Sequence, residues 1–463
     1  MRTRPGKKAL AGLAAAALAG CAIGPDYQRP GMELPASLVA EGAAVPAAQD
    51  WWTLFRDPVL DRLVAEALAA NRDLAAAAAR IEQARAQATI AGADRFPAAG
   101  VEVQRSRDRS SQLGAFPLPP NAIETNTNRA VARFSWELDF WGKYRRANEA
   151  AQADLLAAQA GRDAVRASLV ADVARAHFAL QALDESLEIA DRTRDGRRIA
   201  LGLLRLRHEA GVLSELELRQ YEAEVRAAEA LVPALRRDRT RQEGALAVLL
   251  GRSPRMILEG GIERGATLSR DAVEVPAGLP SELLRRRPDL REAEARLVAA
   301  NARIGVARAA YYPSITLTGF LGGESQSLAD LFTGPARTWS LAAGLLQPLY
   351  AGGEIRGGAE LADARTREAA ANYERAVAQA FKEVRDAIAL QATARDALVA
   401  RREQVVALER SLSLAKLRHE GGLTGLLELL DAERQLLAVR LEAIAADRDR
   451  RNAVVDLYLA LGA

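Results

Sequence analysis

The chain has 463 residues, 49% of them hydrophobic and 27% charged, which is long enough for two to four ordinary domains and apolar enough for a sizeable core. Ala, Leu, Arg and Glu dominate, the composition of long helices. The formal charge is +3, but Arg2, Arg4, Lys7 and Lys8 stand among the first twenty residues with no acid beside them, so the rest of the chain carries −1 and nothing electrostatic supports nucleic-acid binding.

In chain order, that cationic start is followed by an apolar run from Ala9 to Leu18, then by Leu18-Ala19-Gly20-Cys21. The run is too short to span a bilayer and fits the centre of a secretory signal. The four residues that close it resemble the lipobox of bacterial lipoproteins. Residues 1–20 therefore read as a cleaved signal peptide and Cys21 as the site of lipid attachment, bearing diacylglycerol and an N-acyl chain, with no other cofactor expected. Ala22 follows, not Asp, which in lipoproteins favours onward transport to the outer membrane. Cys21 is also the only cysteine, which excludes a disulfide framework, a thiolate metal site and dithiol redox chemistry. No later stretch is long and apolar enough for a transmembrane helix, so any crossing of a membrane must be made by strands.

Leu60, Leu63, Ala67, Ala70, Leu74, Ala77 and Ile81 alternate spacings of three and four, the seam of a coiled coil. Pro97 and Gly100 stop that helix. Beyond them the chain alternates: Val101 and Val103, then Ala130, Ala132, Phe134, Trp136 and Leu138 against Val131, Arg133, Ser135, Glu137 and Asp139. One apolar and one polar face suit a strand with lipid outside and water inside, or a soluble hairpin with one wet face. Trp136, Trp141 and Trp339 near strand ends suit an interfacial aromatic belt. From Gly142 to Ala210 no proline occurs, and a continuous helix there would be about 100 Å long. Its seam runs Leu169, Val173, Ala176, Leu180, Leu183, Leu187, Ala190, with Gly161, Gly196 and Gly202 as points of local weakness. A charged rod of that length must project into water. A short turn and a second helix complete the unit.

The unit then repeats. Leu206-Arg207-His208-Glu209 recurs as Leu417-Arg418-His419-Glu420, 211 residues on, with Gly211 matching Gly422, Glu217 matching Glu428, and Leu250-Gly251 matching Leu461-Gly462. Earlier landmarks, Asp73-Leu74 with Asp289-Leu290 and Phe96-Pro97 with Tyr312-Pro313, stand 216 apart. The period far exceeds that of solenoids, so the chain is a duplicated domain-sized unit. The strands of the second copy are Ser314 to Leu321 and Trp339 to Leu345, and its seams run Val405, Leu408, Leu412, Ala415 and then Leu429, Ala432, Leu436, Val439. Four strands cannot close a barrel, which needs about eight, and open edges in lipid are forbidden. A membrane reading thus demands oligomerisation, with eight strands from a dimer or twelve from a trimer.

This combination resembles the TolC-type outer-membrane efflux proteins, and within them the OprM/NodT lipoprotein branch serving resistance-nodulation-division pumps. The resemblance rests on Cys21-Ala22-Ile23-Gly24-Pro25-Asp26-Tyr27, Trp51-Trp52 before Phe55-Arg56-Asp57-Pro58, Leu138-Asp139-Phe140-Trp141-Gly142, Arg286-Arg287-Pro288-Asp289-Leu290, Tyr312-Pro313-Ser314, Pro348-Leu349-Tyr350-Ala351-Gly352-Gly353 and Leu429-Leu430-Asp431-Ala432-Glu433. It covers essentially the whole mature chain. It implies a mainly α protein with transmembrane β: a homotrimer with a twelve-stranded outer-membrane barrel continuous with a long periplasmic α-helical barrel. It further implies a passive exit duct served by a periplasmic membrane-fusion adaptor and an inner-membrane transporter. The expected division is a signal at 1–20, a girdle segment at 21–55, a first repeat at 56–251 with its hairpin at 100–139, a girdle linker at 252–280, and a second repeat at 281–462 with its hairpin at 314–349.

By the same resemblance, Gly211, Val212 and Leu213 with Gly422, Leu423 and Thr424 form the periplasmic tip that meets the adaptor, and Glu217, Glu428 and Asp431 line the gate. Three copies would bring nine carboxylates near one axis, where they repel each other and attract cations. The family carries Asp where this chain has Glu217 and Glu428. Glu217 also completes a capping box with Ser214, and Glu428 sits early enough in its helix to favour the dipole. The glycines equally suit ordinary helix ends. His208 and His419 lack a second His or Cys at a metal-binding spacing and read as structural or solvated. The arginines from Arg192 to Arg207 read mostly as solvated helix faces. No Walker A, HExxH or nucleophile elbow occurs, so no catalytic residue is assigned and the chain is expected not to be an enzyme. The other reading is a lipid-anchored periplasmic coiled-coil scaffold or adaptor with no channel of its own.

Overall fold

The computed structural model describes residues 22–33, 50–113, 119, 123–264 and 287–462. The signal peptide, Cys21, residues 34–49 of the N-terminal segment and residues 265–280 of the linker lie outside the described residues.

Asp57 starts helix α1 (Pro58–Ala70): its carboxylate accepts from the N–H groups of Val59 and Leu60, while Pro58 occupies the first turn, where no N–H partner exists. The seam expected to run unbroken from Leu60 to Ile81 is interrupted at Asn71. That residue's N–H donates to Ala67 O, its side-chain oxygen accepts from Leu74 N–H, and its amide donates to Leu249 O. It ends α1 and caps α2 (Arg72–Ala93). The break falls on a polar position between seam residues, so the apolar spacing carries no trace of it.

Strands β1 (Ala98–Arg109) and β2 (Glu124–Glu137) follow. Helix α3 (Lys143–Glu209) runs 67 residues through Gly161, Gly196 and Gly202 without interruption, with Leu169, Val173, Ala176, Leu180, Leu187 and Ala190 of its seam buried. Each glycine costs about 1 kcal/mol against alanine, and burial of the seam outweighs that. Helix α4 (Glu215–Leu249) ends the first copy, and the short α5 (Pro254–Glu259) follows in the linker. The second copy repeats the lengths: α6 (Pro288–Ala309) has the 22 residues of α2, α7 (Glu354–Glu420) the 67 of α3, and α8 (Leu426–Ala460) the 35 of α4. Between α6 and α7 lie β3 (Ser314–Ser325) and β4 (Arg337–Leu346). Among the described residues no helix is long and apolar enough to cross a membrane.

The four strands form one antiparallel sheet in the order β1-β2-β3-β4. Its register aligns the apolar positions into one face: Val101 opposite Ala132, Ala132 opposite Leu321, and Leu321 opposite Trp339. Trp136, Leu317 and Ala343 form a parallel row. This face is exposed, with Val101, Val103, Trp339 and Leu341 each more than two-thirds accessible. The opposite face carries the ion pairs Arg133–Glu102 and Arg129–Glu324, and the Arg129 guanidinium lies 4.5 Å above the Phe320 ring. A sheet that shows apolar residues outward and charge on its other face is inverted relative to a water-soluble sheet, and β1 and β4 each leave an unpaired edge.

Packing divides the chain into two compact units that each draw on both repeats. One holds the sheet, with residues 22–31, 80–159 and 292–374. The other holds residues 50–79, 160–264, 287–291 and 375–462. In the second unit Trp51 stacks on Tyr458 at 5.5 Å and Phe55 packs on Phe178 at 4.8 Å. At the end of α4, Gly251 has φ 69°, and a Cβ there would stand 2.1 Å from Ala70 O, so only glycine allows the chain to pass.

Candidate functional site

The turn between α3 and α4 is built by the repeated word itself. Gly211 takes φ 73°, its N–H donates to His208 O (2.8 Å), and Val212 N–H reaches back to Arg207 O (2.9 Å). This closure satisfies carbonyls that a helix end otherwise leaves open. The second copy matches it, with Gly422 at φ 71°, its N–H donating to His419 O (3.0 Å) and Leu423 N–H to Arg418 O (2.8 Å). The histidines have a task here. A carbonyl only accepts, so Nδ1 of His208 donates to Leu213 O (2.8 Å) and Nδ1 of His419 to Thr424 O (3.2 Å), pinning each turn to the helix before it.

The expected gate acids are treated unequally. Glu217 completes the capping box: Ser214 Oγ accepts from Glu217 N–H, and the Glu217 carboxylate accepts from Ser214 N–H (3.1 Å) and from its hydroxyl (2.7 Å). Helix α8 begins on Gly425 with no side-chain cap, so Glu428 is not drawn back, and its carboxylate lies 3.4 Å from Arg418 Nε. Asp431, one turn on, accepts from Gln435 Nε2 at 2.6 Å. Leu426 and Leu430 turn the other face of α8 into a cluster with Leu201, Leu204, Leu218, Tyr221 and Val225. Glu428 and Asp431 are therefore brought together on the exposed face of α8, while Glu217 is committed to its own helix start.

Behind that face lies a group the sequence reading missed. Arg197, expected on a solvated face, is only 5% exposed. It donates to Glu224 O (3.0 Å), pairs with the Glu224 carboxylate (3.1 Å), and lies 3.9 Å from the carboxylate of Glu433 on α8. Burial pushes the Glu433 carboxyl up despite the charges of Arg197 and Lys416. Burial likewise lifts the Tyr221 hydroxyl to about 12. A buried charge must be paired, so this node ties α8 to the first hairpin. Arg192, Arg198 and Arg205, by contrast, are exposed in surface ion pairs.

At the apex, Val212 and Leu423 are about three-quarters exposed, and Leu216 and Leu427, one turn into α4 and α8, are more than half exposed. Each hairpin thus ends in an exposed apolar pair. Leu216 and Leu427 were not singled out by motif, although their 211-residue spacing repeats the same word's period.

A second unanticipated group is fully buried. His177 on α3 donates from Nε2 to Asp57 Oδ2 (2.7 Å), the same carboxylate whose other oxygen caps α1. Gln181 Nε2 also donates to Asp57 Oδ2, while its oxygen accepts from Arg451. Burial alone would raise the Asp57 carboxyl, but the His177 hydrogen bond and charge and two backbone N–H groups hold it below its ordinary value. The pair is structural: it fastens the start of α1 to the middle of α3.

Residues 63–252 and 279–463 match the family model described as "Outer membrane efflux protein". The "Cation efflux system protein CusC" of Escherichia coli O6:H1 is 33% identical over 457 residues, covering 97% of this chain and 96% of that protein. The "Probable outer membrane lipoprotein SilC" of Salmonella typhimurium is 32% identical over 452 residues, covering 96% of each. Among solved structures, the outer membrane channel CmeC of Campylobacter jejuni aligns with a TM-score of 0.91 at 25% identity, covering 96% of this chain and 95% of that one.

Proposed function

The chain belongs to the outer membrane efflux protein family, and from that premise we propose that it is the exit duct of a tripartite efflux pump, passing solutes from periplasm to exterior without a chemical step of its own. The sheet carries this reading. Its exposed apolar face needs lipid, and its two open edges need further copies of the chain, because unpaired backbone in hydrocarbon costs several kcal/mol per group. Three copies give twelve strands, and the paired helices form the periplasmic extension. A lipid-anchored scaffold or adaptor would have no use for such a face.

The remaining assignments follow from that assembly. Cys21 is acylated, in keeping with the lipoprotein relative SilC. The tip residues Gly211, Val212, Leu213, Gly422, Leu423 and Thr424 meet a periplasmic adaptor, with Leu216 and Leu427 extending the apolar contact. Glu428 and Asp431 line the closed gate, and Glu217 supports it by holding the first turn. The repeats at 56–251 and 281–462 supply two pseudo-equivalent hairpins per protomer, with residues 21–55 and 252–280 as girdle. Choice of solute rests with the inner-membrane transporter of the resistance-nodulation-division class.

Deleting the gene from its host should raise accumulation of a pump-substrate dye severalfold, to the level reached by deleting the transporter, and the wild-type gene should restore efflux. Unchanged accumulation in a strain whose transporter deletion does accumulate dye would contradict the assignment.

A further inference from the structure

Beside the sheet, in the unit that contains it, lies an open-sided cavity of about 690 Å³, within the roughly 300–1,000 Å³ range of small-molecule sites. One wall is the N-terminal strap, residues 23–25. The others are Arg308 from the end of α6, Tyr311 and Tyr312 from the turn after it, and Arg356, Glu360 and Asp363 from the first turns of α7. The strap is seated firmly. Ile23 N–H donates to Trp141 O, Asn301 Nδ2 donates to Pro25 O, and Asp26 pairs with Arg146. Gly24, at φ 108°, packs so tightly on Gly305 that a Cβ would stand 2.6 Å from its Cα.

Three observations fix the kind of ligand. First, depth: Tyr312 is two residues from the start of β3 and stacks on Trp141 at 4.9 Å, while Ile23 is two residues from Cys21 in sequence. The cavity therefore sits at the end of the apolar strands, the level at which tyrosine and tryptophan settle, and close in sequence to the proposed acylation site. Second, charge: two guanidinium groups and two carboxylates line the cavity, paired as Arg308–Asp363 (3.2 Å) and Arg356–Glu360 (3.0 Å). Each pairing uses one nitrogen of a five-donor fork, so donors remain beside acceptors. Third, the Tyr312 ring is stacked on Trp141, which leaves Tyr311 as the one lining ring outside that stack, and a single ring does not make the aromatic cage that holds a quaternary ammonium.

We infer that this cavity binds the zwitterionic headgroup of a phosphatidylethanolamine, with Arg308 and Arg356 on the phosphate and Glu360 and Asp363 on the primary ammonium. An anionic headgroup would compete with the carboxylates for the two guanidinium groups and bring them no cation in return, and a choline headgroup would offer them no N–H. The inference rests on the membrane reading above, and its test is arranged so that the two can fail separately.

Full-length acylated protein, purified as its oligomer, is mixed with phosphatidylethanolamine, phosphatidylglycerol and phosphatidylcholine, and retained lipid is counted by native mass spectrometry. The wild type should retain phosphatidylethanolamine over the other two. Arg356→Ala, at an exposed position with little risk to folding, should weaken that retention about tenfold, the loss expected of one charge-assisted hydrogen bond. Glu360→Gln with Asp363→Asn should shift the preference to phosphatidylglycerol. Equal retention of all three lipids, unchanged counts in Arg356→Ala, or equal displacement of lipid by inorganic phosphate would overturn the inference. Conductance is recorded on the same samples: if it persists while the lipid preference is absent, the headgroup site alone is refuted, whereas loss of oligomer and conductance together refutes the duct.

Discussion

Asp57→Ala should destabilise the protein by about 3–5 kcal/mol, the cost of breaking a buried pair by removing one partner. Both side chains are almost fully buried, at 2% and 1% exposure, and Asp57 also supplies the cap of α1, a contribution of about 1 kcal/mol on its own. Asp57→Asn keeps an acceptor for the cap and should cost less. The effect depends on pH in a defined direction. Because the Asp57 carboxyl is held below its ordinary value, the folded protein binds that proton less tightly than the unfolded chain. Its contribution is complete above about pH 4, where the unfolded aspartate is ionised, and is lost as pH falls through the depressed folded value. Thermal loss of helical circular dichroism in wild type and Asp57→Ala should therefore differ most near neutrality and converge on acidification. A constant difference down to pH 2 would show that the pair contributes through packing and not through charge.

Neutralising the gate, Glu428→Gln with Asp431→Asn, should raise resting conductance severalfold and abolish block by added divalent cations. In the proposed assembly of three, the substitution removes six carboxylates from the gate assigned to them and with them the charge that would attract cations. The fold should barely notice. Both side chains are about half exposed, and loss of Glu428 from the first turn of α8 and of its contact with Arg418 costs about 1 kcal/mol at most. Glu217→Gln is the informative companion: its carboxylate works in the capping box, so the change should loosen the first turn while leaving cation block in place. Block that survives the double substitution would remove Glu428 and Asp431 from the gate.

The parts of the fold governed by period were legible. Duplication, the 67-residue helices, the strand alternation and both turns follow from spacing, because a seam and an alternation record which face is buried. What spacing does not record is a single polar residue's partner in another segment. Asn71 breaks a seam without disturbing it, Arg197 is buried by an acid 27 positions away and another on α8, and His177 meets an aspartate 120 residues earlier. Two signals were within reach. Asp57-Pro58 spells an N-cap followed by a first-turn proline, and Leu216 with Leu427 share the period of the repeated word. The proposed gate was the reverse case: family resemblance named three acids, and only the hydrogen bonds separate Glu217, held by Ser214, from Glu428 and Asp431.

The central claim is that copies of this chain close their sheets into a water-filled barrel. Purified full-length protein should migrate as a trimer that heating dissociates, and the unheated species should produce discrete conductance steps in a planar bilayer. A monomer that leaves the bilayer silent would contradict the account.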